Sequence, residues 1–459
     1  MEREQIEQKL KAQKEYFATG ATIPLAARRE ALKKLLKLLE EQEEAFTTAL
    51  TLDLGKSARE GYMCEVALVK SEIRHMINHL ARYARERRVH TPLAQSISRS
   101  YVKPVPYGTV LVMSPWNYPI LLSLDPLADA LAAGNTVVLK PSAYAPATSA
   151  LLERVIGENF PPEYVTVITG GRQENNALLD CPFDYIFFTG SKTVGRLVME
   201  KAAAHLTPVT LELGGKSPCI VDETANISLA ARRIVFGKFI NCGQTCVAPD
   251  YIYCAPSVKD KLIAALKKEL ERQYGSDPLK NADYGRIINK KHFDRVSGLI
   301  DPAKAVHGGK TDPDACRIQP TILDNVTWDD PVMGEEIFGP VLPILTYDSL
   351  EQVAEKVNSM DSPLALYIFS SDKAHIRYVT QMIQYGGGCV NDTLIHLATS
   401  AMGFGGVGAS GMGSYHGKQG FDTFTHYKSI VDKKTILDLP MRYQPYTKLN
   451  ETLIRLFVR

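Results

Sequence analysis

Between residues 108 and 213, short apolar runs alternate with helix-patterned stretches. The runs are GTVLVMS at 108–114, NTVVLK at 135–140, EYVTVIT at 163–169, YIFFTG at 185–190 and VTLELGG at 209–215. Between them lie ILLSLDPLADALAA, ATSALLERVIGENF and SKTVGRLVMEKAAAH. Repetition of this kind predicts a parallel sheet covered by helices, with ligands bound at the carboxyl ends of the strands. The N-terminal part reads as helix over 22–50, with Leu32, Leu35, Leu36 and Leu39 on one face, and again over 58–88. That second stretch ends in RYARERR, read as a solvated face with ion pairs. A second alternating block over 216–400 holds helical 227–241, 257–273 and 373–385 and strand-like 364–370, and predicts a second α/β domain. The stretch 401–429 is rich in glycine and is expected to be a functional loop.

Size and charge narrow the class. A single core rarely grows past ~250–300 residues, so 459 residues imply two or more domains. With 53 basic and 51 acidic side chains the net charge is +2, too small for a field that would hold nucleic acid. Eight cysteines, at 64, 181, 219, 242, 246, 254, 316 and 389, are scattered without a disulfide framework, which favours reduced thiols and a cytoplasmic setting. The charged start MEREQIEQKLKAQKEYF lacks a signal-peptide core, and no run of ~18 apolar residues predicts a transmembrane segment. A short apolar patch at Leu453–Val458 is expected to pack on the protein or on a second subunit.

Four places carry residue types suited to chemistry. Cys246, in NCGQTCVAPD, sits among small and polar residues, a setting that can ease ionisation to the nucleophilic thiolate. A lone cysteine is more often a buried small hydrophobe. Cys242 lies four residues upstream and faces the same way if the stretch is helical; a redox pair is then an alternative, while no ligand spacing for a metal is present. Glu212 ends a strand on which Val209, Leu211 and Leu213 share one face while Thr210 and Glu212 share the other, just before Gly214 and Gly215. It reads as a catalytic carboxylate or as a satisfied structural one. Asn117, in SPWNYP, is held between prolines and offers a fixed amide for an oxyanion, or is simply a turn residue. FTGSKTVG, with Gly190 and Gly195 at a strand-to-helix turn, is a phosphate candidate of low specificity.

Taken in chain order, PWNYP at 115–119, KPS at 140–142, FTGSKTVG at 188–195, LELGGKSP at 211–218, GQTC at 243–246 and EEIFGP at 335–340 resemble the aldehyde dehydrogenase superfamily. The close, GFGGVGASGMGSYHGKQGFDTFTHYKS, is similar to its class 3 or fatty aldehyde branch, and the likeness covers nearly the whole chain. It implies an aldehyde dehydrogenase-like α/β fold of two parallel-sheet domains plus a small oligomerisation arm. On that likeness 1–88 (mainly helical) and 108–211 form the NAD(P)-binding domain, and 212–400 the catalytic domain. Residues 89–107 and 430–459 form the arm and tail, and 401–429 a loop near the active site.

The resemblance also implies roles. Cys246 becomes the nucleophile, Glu212 the general base and Asn117 the oxyanion donor, shared with the Cys246 amide. Lys140 and Glu336 resemble residues that hold the cofactor's ribose hydroxyls, Gly190, Ser191 and Gly195 those near the adenosine phosphates, and Phe338 one beside the nicotinamide ribose. Such a site passes an aldehyde through a thiohemiacetal and a thioester to the acid, with hydride leaving to a nicotinamide and no metal needed. Many NAD-preferring relatives carry a glutamate where this chain has Ala143; its loss removes a clash with a 2′-phosphate, so both NAD and NADP are expected. The class 3 likeness implies apolar aldehydes, aliphatic of medium or long chain or aromatic, and Ile395, His396, Leu397, Met402 and Phe404 are expected at the pocket. It implies a homodimer too, through an exposed strand at YVKPVPYG, which a monomer in light scattering would contradict. Two rivals are an acylating enzyme that passes the thioester to coenzyme A, against which Glu212 speaks, and a non-catalytic protein that kept the fold.

Overall fold

The computed structural model describes residues 2–92, 95, 97–436 and 438–457. Residue 1, the arm residues 93, 94 and 96, and the tail residues 437, 458 and 459 lie outside the described residues, Val458 of the apolar patch among them.

The apolar runs form a six-stranded sheet in the order Gly411–Met412, Val209–Glu212, Tyr185–Thr189, Thr109–Met113, Thr136–Lys140, Val165–Val167. All neighbours are parallel except the short Gly411–Met412 edge. Alternation sorts the side chains into two cores. Val110, Val112 and Phe187 join the large one, while Leu111, Met113, Ile186, Phe188, Leu211 and Leu213 meet Ile6 and Leu10 of the N-terminal helix Arg3–Ala18 on the other face. Burial on both faces is why these strands read as unbroken apolar runs. The second sheet runs Ala305–His307, Thr321–Leu323, Val341–Thr346, Tyr251–Cys254, Pro218–Val221, Ala365–Phe369, Gly387–Val390, parallel throughout apart from its first strand.

Several expected elements are interrupted. The helix read over 22–50 is two, Leu25–Glu41 and Glu43–Leu54, because Gln42 leaves helical backbone (φ −108, ψ 17). Glu43 and Glu44 then sit in the first turn of the next helix, where acidic groups suit the helix dipole. The stretch 58–88 starts as helix at Ala58–Gly61, widens to a π-turn over Tyr62–Val66, and continues as Ala67–Tyr83. Its basic end is not helical: Arg87–Arg88 pair with Val102 and Tyr101 of the strand Ser98–Pro106. The ion pairs there join Glu86 to Arg99 and Lys103 of that strand.

The arm is a three-stranded antiparallel sheet in which Ser98–Pro106 pairs residue by residue with Thr425–Lys433. Ser98–Pro106 is thus its middle strand rather than an edge. It accommodates Pro104 and Pro106 because Arg87–Arg88 reach only Tyr101 and Val102, leaving the proline end open on that side. The tail helix Lys448–Phe457 leaves Leu449 and Leu456 exposed, while Leu453 and Ile454 are half-buried. No helix of the described residues is long and apolar enough to cross a membrane.

The glycine-rich stretch 401–429 is not a continuous loop. It contains the edge strand Gly411–Met412, the helix Gly417–Thr423 and the start of the arm strand at Thr425. Its glycines serve close packing: a Cβ on Gly411 (φ +148) would lie 2.2 Å from the Leu211 carbonyl oxygen. Since Gly411 is the register partner of Glu212, Gly411→Ala must push the edge strand off the end of Val209–Glu212. The substitution is expected to cost about 2–4 kcal/mol; a urea unfolding midpoint equal to wild type would contradict this packing.

Candidate active site

Cys246 is reached through an unusual turn. After the helix Ile227–Phe239, Asn241 (φ 51), Cys242 (φ 52) and Gly243 (φ 73) are all left-handed. Gly243 is required there, because a Cβ would stand 2.3 Å from the Gly339 carbonyl oxygen. Gln244 pins the turn: its amide donates to the carbonyls of Asn241 and Arg286, each at 3.0 Å, and its Oε1 accepts from Ile288 N at 3.0 Å. Helical spacing between Cys242 and Cys246 therefore does not apply. Cys242 is buried, its thiol pushed up by burial, while Cys246 is half-buried and opens on two cavities.

The second loop of the site lies between the strand Thr109–Met113 and the helix Leu121–Ala133. Asn117 is 3% exposed and donates from Nδ2 to the Gln244 carbonyl at 3.0 Å. An amide nitrogen carries two donors, and the other is available toward the space that Asn117 and Cys246 line together. Tyr118 hydroxyl meets Thr245 Oγ1 at 2.6 Å. Beneath the loop is a fully enclosed ion pair that sequence reading missed: Lys56 Nζ reaches Glu65 Oε1 at 2.5 Å and the Asn117 carbonyl at 2.9 Å. Glu65 Oε2 in turn accepts from Ile120 and Leu121 N at 2.8 and 3.2 Å. Lys56, Glu65 and Gln244 belong to no spacing pattern, so periodicity offered no signal for them.

Glu212 ends the strand Val209–Glu212, 1% exposed, and neither carboxyl oxygen has a partner. Burial pushes it well above the usual carboxylate range. The Cys246 thiol is likewise pushed up to about 12, by burial first and then by Glu336 and Glu212. Against the expected easing of ionisation, burial, Glu336 and Glu212 raise the thiol, and the amides of Cys246 and Val247 offset them only in part.

On one side of Cys246 is a cleft of about 550 Å³, lined by Asn117, Gly190, Ser191, Glu336 and Phe338 among others. It lies where the strands Tyr185–Thr189 and Val209–Glu212 end and the helix Lys192–Ala203 begins, capped by Ser191. Glu336 fills the space of a missing side chain: a Cβ on Gly214 would come within 2.3 Å of its Oε2. Burial first, then Asp250, raises the Glu336 carboxyl to about 8. Its segment is clamped by Lys216, which donates to Asp250 at 2.5 Å and to the Glu335 carbonyl at 2.8 Å, and by Arg295 on the Ile337 carbonyl at 2.6 Å. Phe338 meets Trp116 edge-on at 5.4 Å.

Two expected cofactor residues stand apart from this cleft wall. Lys140 ends its strand donating to the Pro141 and Gly170 carbonyls at 2.9 and 2.7 Å, with burial lowering it to about 8. One of its three donors remains. Gly195 faces the sheet, where a Cβ would strike Leu213 Cδ2 at 2.7 Å, so its bare Cα permits helix–sheet packing. Within the cleft, Glu336 suits ribose hydroxyls, and the helix start at Gly190 and Ser191 suits phosphate.

On the other side of Cys246 is an apolar pocket of about 170 Å³. Ile395, Leu397 and Phe404 line it as expected, with Leu68 and Phe236. His396 instead turns to Cys389, Nδ1 3.5 Å from Sγ, and Met402 is exposed.

Comparison with known proteins identifies the family. The aldehyde dehydrogenase family model matches residues 1–430. The 4,4′-diaponeurosporen-aldehyde dehydrogenase of Staphylococcus aureus (strain NCTC 8325 / PS 47) is 48% identical over 443 residues, 96% of each chain. The dimeric NADP-preferring aldehyde dehydrogenase of Canis lupus familiaris is 44% identical over 432 residues, 94% of this chain and 95% of that one. A solved structure, the substrate bound state of Staphylococcus aureus AldH, superposes with a TM-score of 0.97 at 47% identity, covering 99% of both chains. The chain belongs to the aldehyde dehydrogenase family, whose members use NAD(P), and is an oxidoreductase acting on aldehydes.

Proposed function

We propose that the protein oxidises medium or long-chain aliphatic or aromatic aldehydes to carboxylic acids through a covalent thioester on Cys246. The observation that carries the reading is the position of that sulfur, at the junction of a polar cleft and an apolar pocket. A nicotinamide bound in the cleft supplies the acceptor for hydride.

Everything else falls to the chain's own groups. An aldehyde lying in the apolar pocket presents its carbonyl carbon to Cys246 Sγ. Water admitted to Glu212 restores its carboxylate, which takes the thiol proton as the carbon–sulfur bond forms and charge is left on the former carbonyl oxygen. Asn117 Nδ2 and the Cys246 amide stabilise that oxygen, and donors aimed in advance in a dry site are worth most. Once the thioester exists and Glu212 has given up that first proton, it takes one from the attacking water; carbon–oxygen forms, carbon–sulfur breaks, the sulfur is reprotonated from Glu212 and the acid releases its own proton. Water reaching Glu212 supplies the hydrogen bonds that its carboxylate lacks in the enclosed state. Lys140, Glu336 and Phe338 hold and orient the dinucleotide, with Gly190 and Ser191 near its phosphates. The relative named for 4,4′-diaponeurosporen-aldehyde fits an apolar substrate, and the dog enzyme named as dimeric fits a homodimer built on the arm.

Cys246→Ala is expected to abolish the burst of reduced dinucleotide while the protein stays folded. Wild type is expected to turn octanal into free acid without coenzyme A and faster than acetaldehyde. A burst that survives the substitution refutes the thioester, and equal rates on the two aldehydes refute the apolar substrate class.

The thiol makes a separate prediction. A pKa raised to about 12 leaves Cys246 protonated at neutral pH, and each unit of pH rise multiplies the thiolate about tenfold. Iodoacetamide labelling of Cys246, followed by peptide mass spectrometry on enzyme free of dinucleotide, should accelerate steadily from pH 7 to 9.5. A plateau below pH 8 would show an ionised sulfur.

Cofactor choice follows from Ala143, which is exposed on the turn after Lys140. With no carboxylate there, NADP is accepted as well as NAD. The ratio of kcat/KM for the two measures it; a preference for NAD above ~1,000-fold, or about 4 kcal/mol, is the contrary result.

A further inference from the structure

Beside the site, three carboxyl groups lie in the apolar core without any role in the chemistry above. Asp125 and Asp129 stand one turn apart on the helix Leu121–Ala133, 3% and 0% exposed, and Glu72 on the helix Ala67–Tyr83 is 4% exposed. Among the described residues, Oδ1 of Asp125 and Nε2 of His416 have no hydrogen-bond partner, and the Asp129 carboxyl is approached only by the His416 backbone amide. His416 Nε2 stands 3.9 Å from Asp125 Oδ2. Glu72, by contrast, accepts from Gly417 N at 2.7 Å and from Ser400 Oγ at 2.6 Å, and Ser400 is half-exposed.

Unpaired acids buried in a core are costly, and native proteins satisfy such groups with internal water or a shared proton. One segment joins them to the active site. Gly411 is the register partner of Glu212, Tyr415 and His416 line the apolar pocket together with Cys246, and Gly417 donates to Glu72. Acidic and titratable groups face one another here from four elements: Glu72 and Tyr83, Asp125 and Asp129, Tyr415 and His416, and His396 near Ser400. The Tyr415 phenol lies within the influence of Glu212, Cys246, Asp125 and Asp129 at once.

The reaction proposed above, on which this inference rests, must dispose of two protons. Forming the thioester releases the thiol proton. Hydrolysis, thioester plus water giving carboxylate and regenerated thiol, releases one more. Glu212 holds only one at a time. In the thioester state the two openings at Cys246 carry the dinucleotide and the acyl chain, so a third way out is needed. We propose that Asp125, Asp129, His416 and Glu72, bridged by internal water, form a proton exit that runs from Glu212 past Tyr415 to solvent at Ser400.

The test is the double substitution Asp125→Asn with Asp129→Asn in the full-length enzyme, mixed with octanal and dinucleotide. Rapid quenching and intact-protein mass spectrometry follow the acyl adduct on Cys246. Glu212 can accept the first proton unaided, so the burst should keep its wild-type amplitude. Decay of the adduct should slow roughly tenfold or more, with a larger solvent deuterium isotope effect, since acid–base assistance contributes at least that much. Thermal stability should equal or exceed wild type, because the substitutions remove buried unpaired acids. Adduct decay at the wild-type rate overturns the exit, as does slowing that comes with lowered stability and a reduced burst. Should the double variant not fold, Glu72→Gln is judged by the same criteria. Absence of any adduct in wild type would instead overturn the thioester reading itself.

Discussion

The Lys56–Glu65 pair is the constraint on which the site depends. Cys246 and Asn117 come from loops that belong to different sheets, and they line one cleft. Lys56 binds the Asn117 carbonyl, Glu65 binds the amides that open the helix Leu121–Ala133, and Asn241 Nδ2 reaches the same Asn117 carbonyl at 2.8 Å. Both charges are fully enclosed. Removing one partner from such a pair typically costs ~3–5 kcal/mol, although a well-packed apolar replacement of both is often neutral. Its value is therefore positional. It fixes the loop that carries Asn117 while Gln244 fixes the loop that carries Cys246, and the Asn117–Gln244 bond locks one to the other.

Much of this was legible from the chain, for a definable reason. The strands of the first sheet are buried on both faces, so their composition alone marks them, and alternation placed Thr210 and Glu212 opposite Leu211 and Leu213 before any coordinates. Cys246, Asn117, Gly190, Ser191, Glu336 and Phe338 do converge on one cleft. What stayed hidden depends on three-dimensional closure. The break at Gln42 follows from no apolar spacing, and helical arithmetic failed at Cys242 because three residues in a row adopt left-handed backbone. Gly195 looked like part of a phosphate loop, yet its bare Cα is spent on Leu213. The glycines of 401–429 suggest a functional loop, but glycine also permits one backbone to lie against another, which is the use made of it at Gly411.

A dry site has two opposite effects here, and one cause produces both. Excluding water strengthens the hydrogen bond that Asn117 offers to a developing oxyanion. The same exclusion raises the thiol of Cys246 and the carboxyls of Glu212 and Glu336, so none of them ionises readily on its own. Three acids within one electrostatic neighbourhood oppose each other's charge, and the Cys246 thiol is raised further by two of them. In the function proposed above, chemistry at this sulfur passes protons between groups as bonds form. Where protons are passed rather than stored, the rate of the cycle depends on how fast the last acceptor can be emptied. On the proposed exit, that dependence gives the buried carboxyl row beside Tyr415 and His416 a place in the cycle, and the glycine-rich segment connects the two through Gly411 and Gly417.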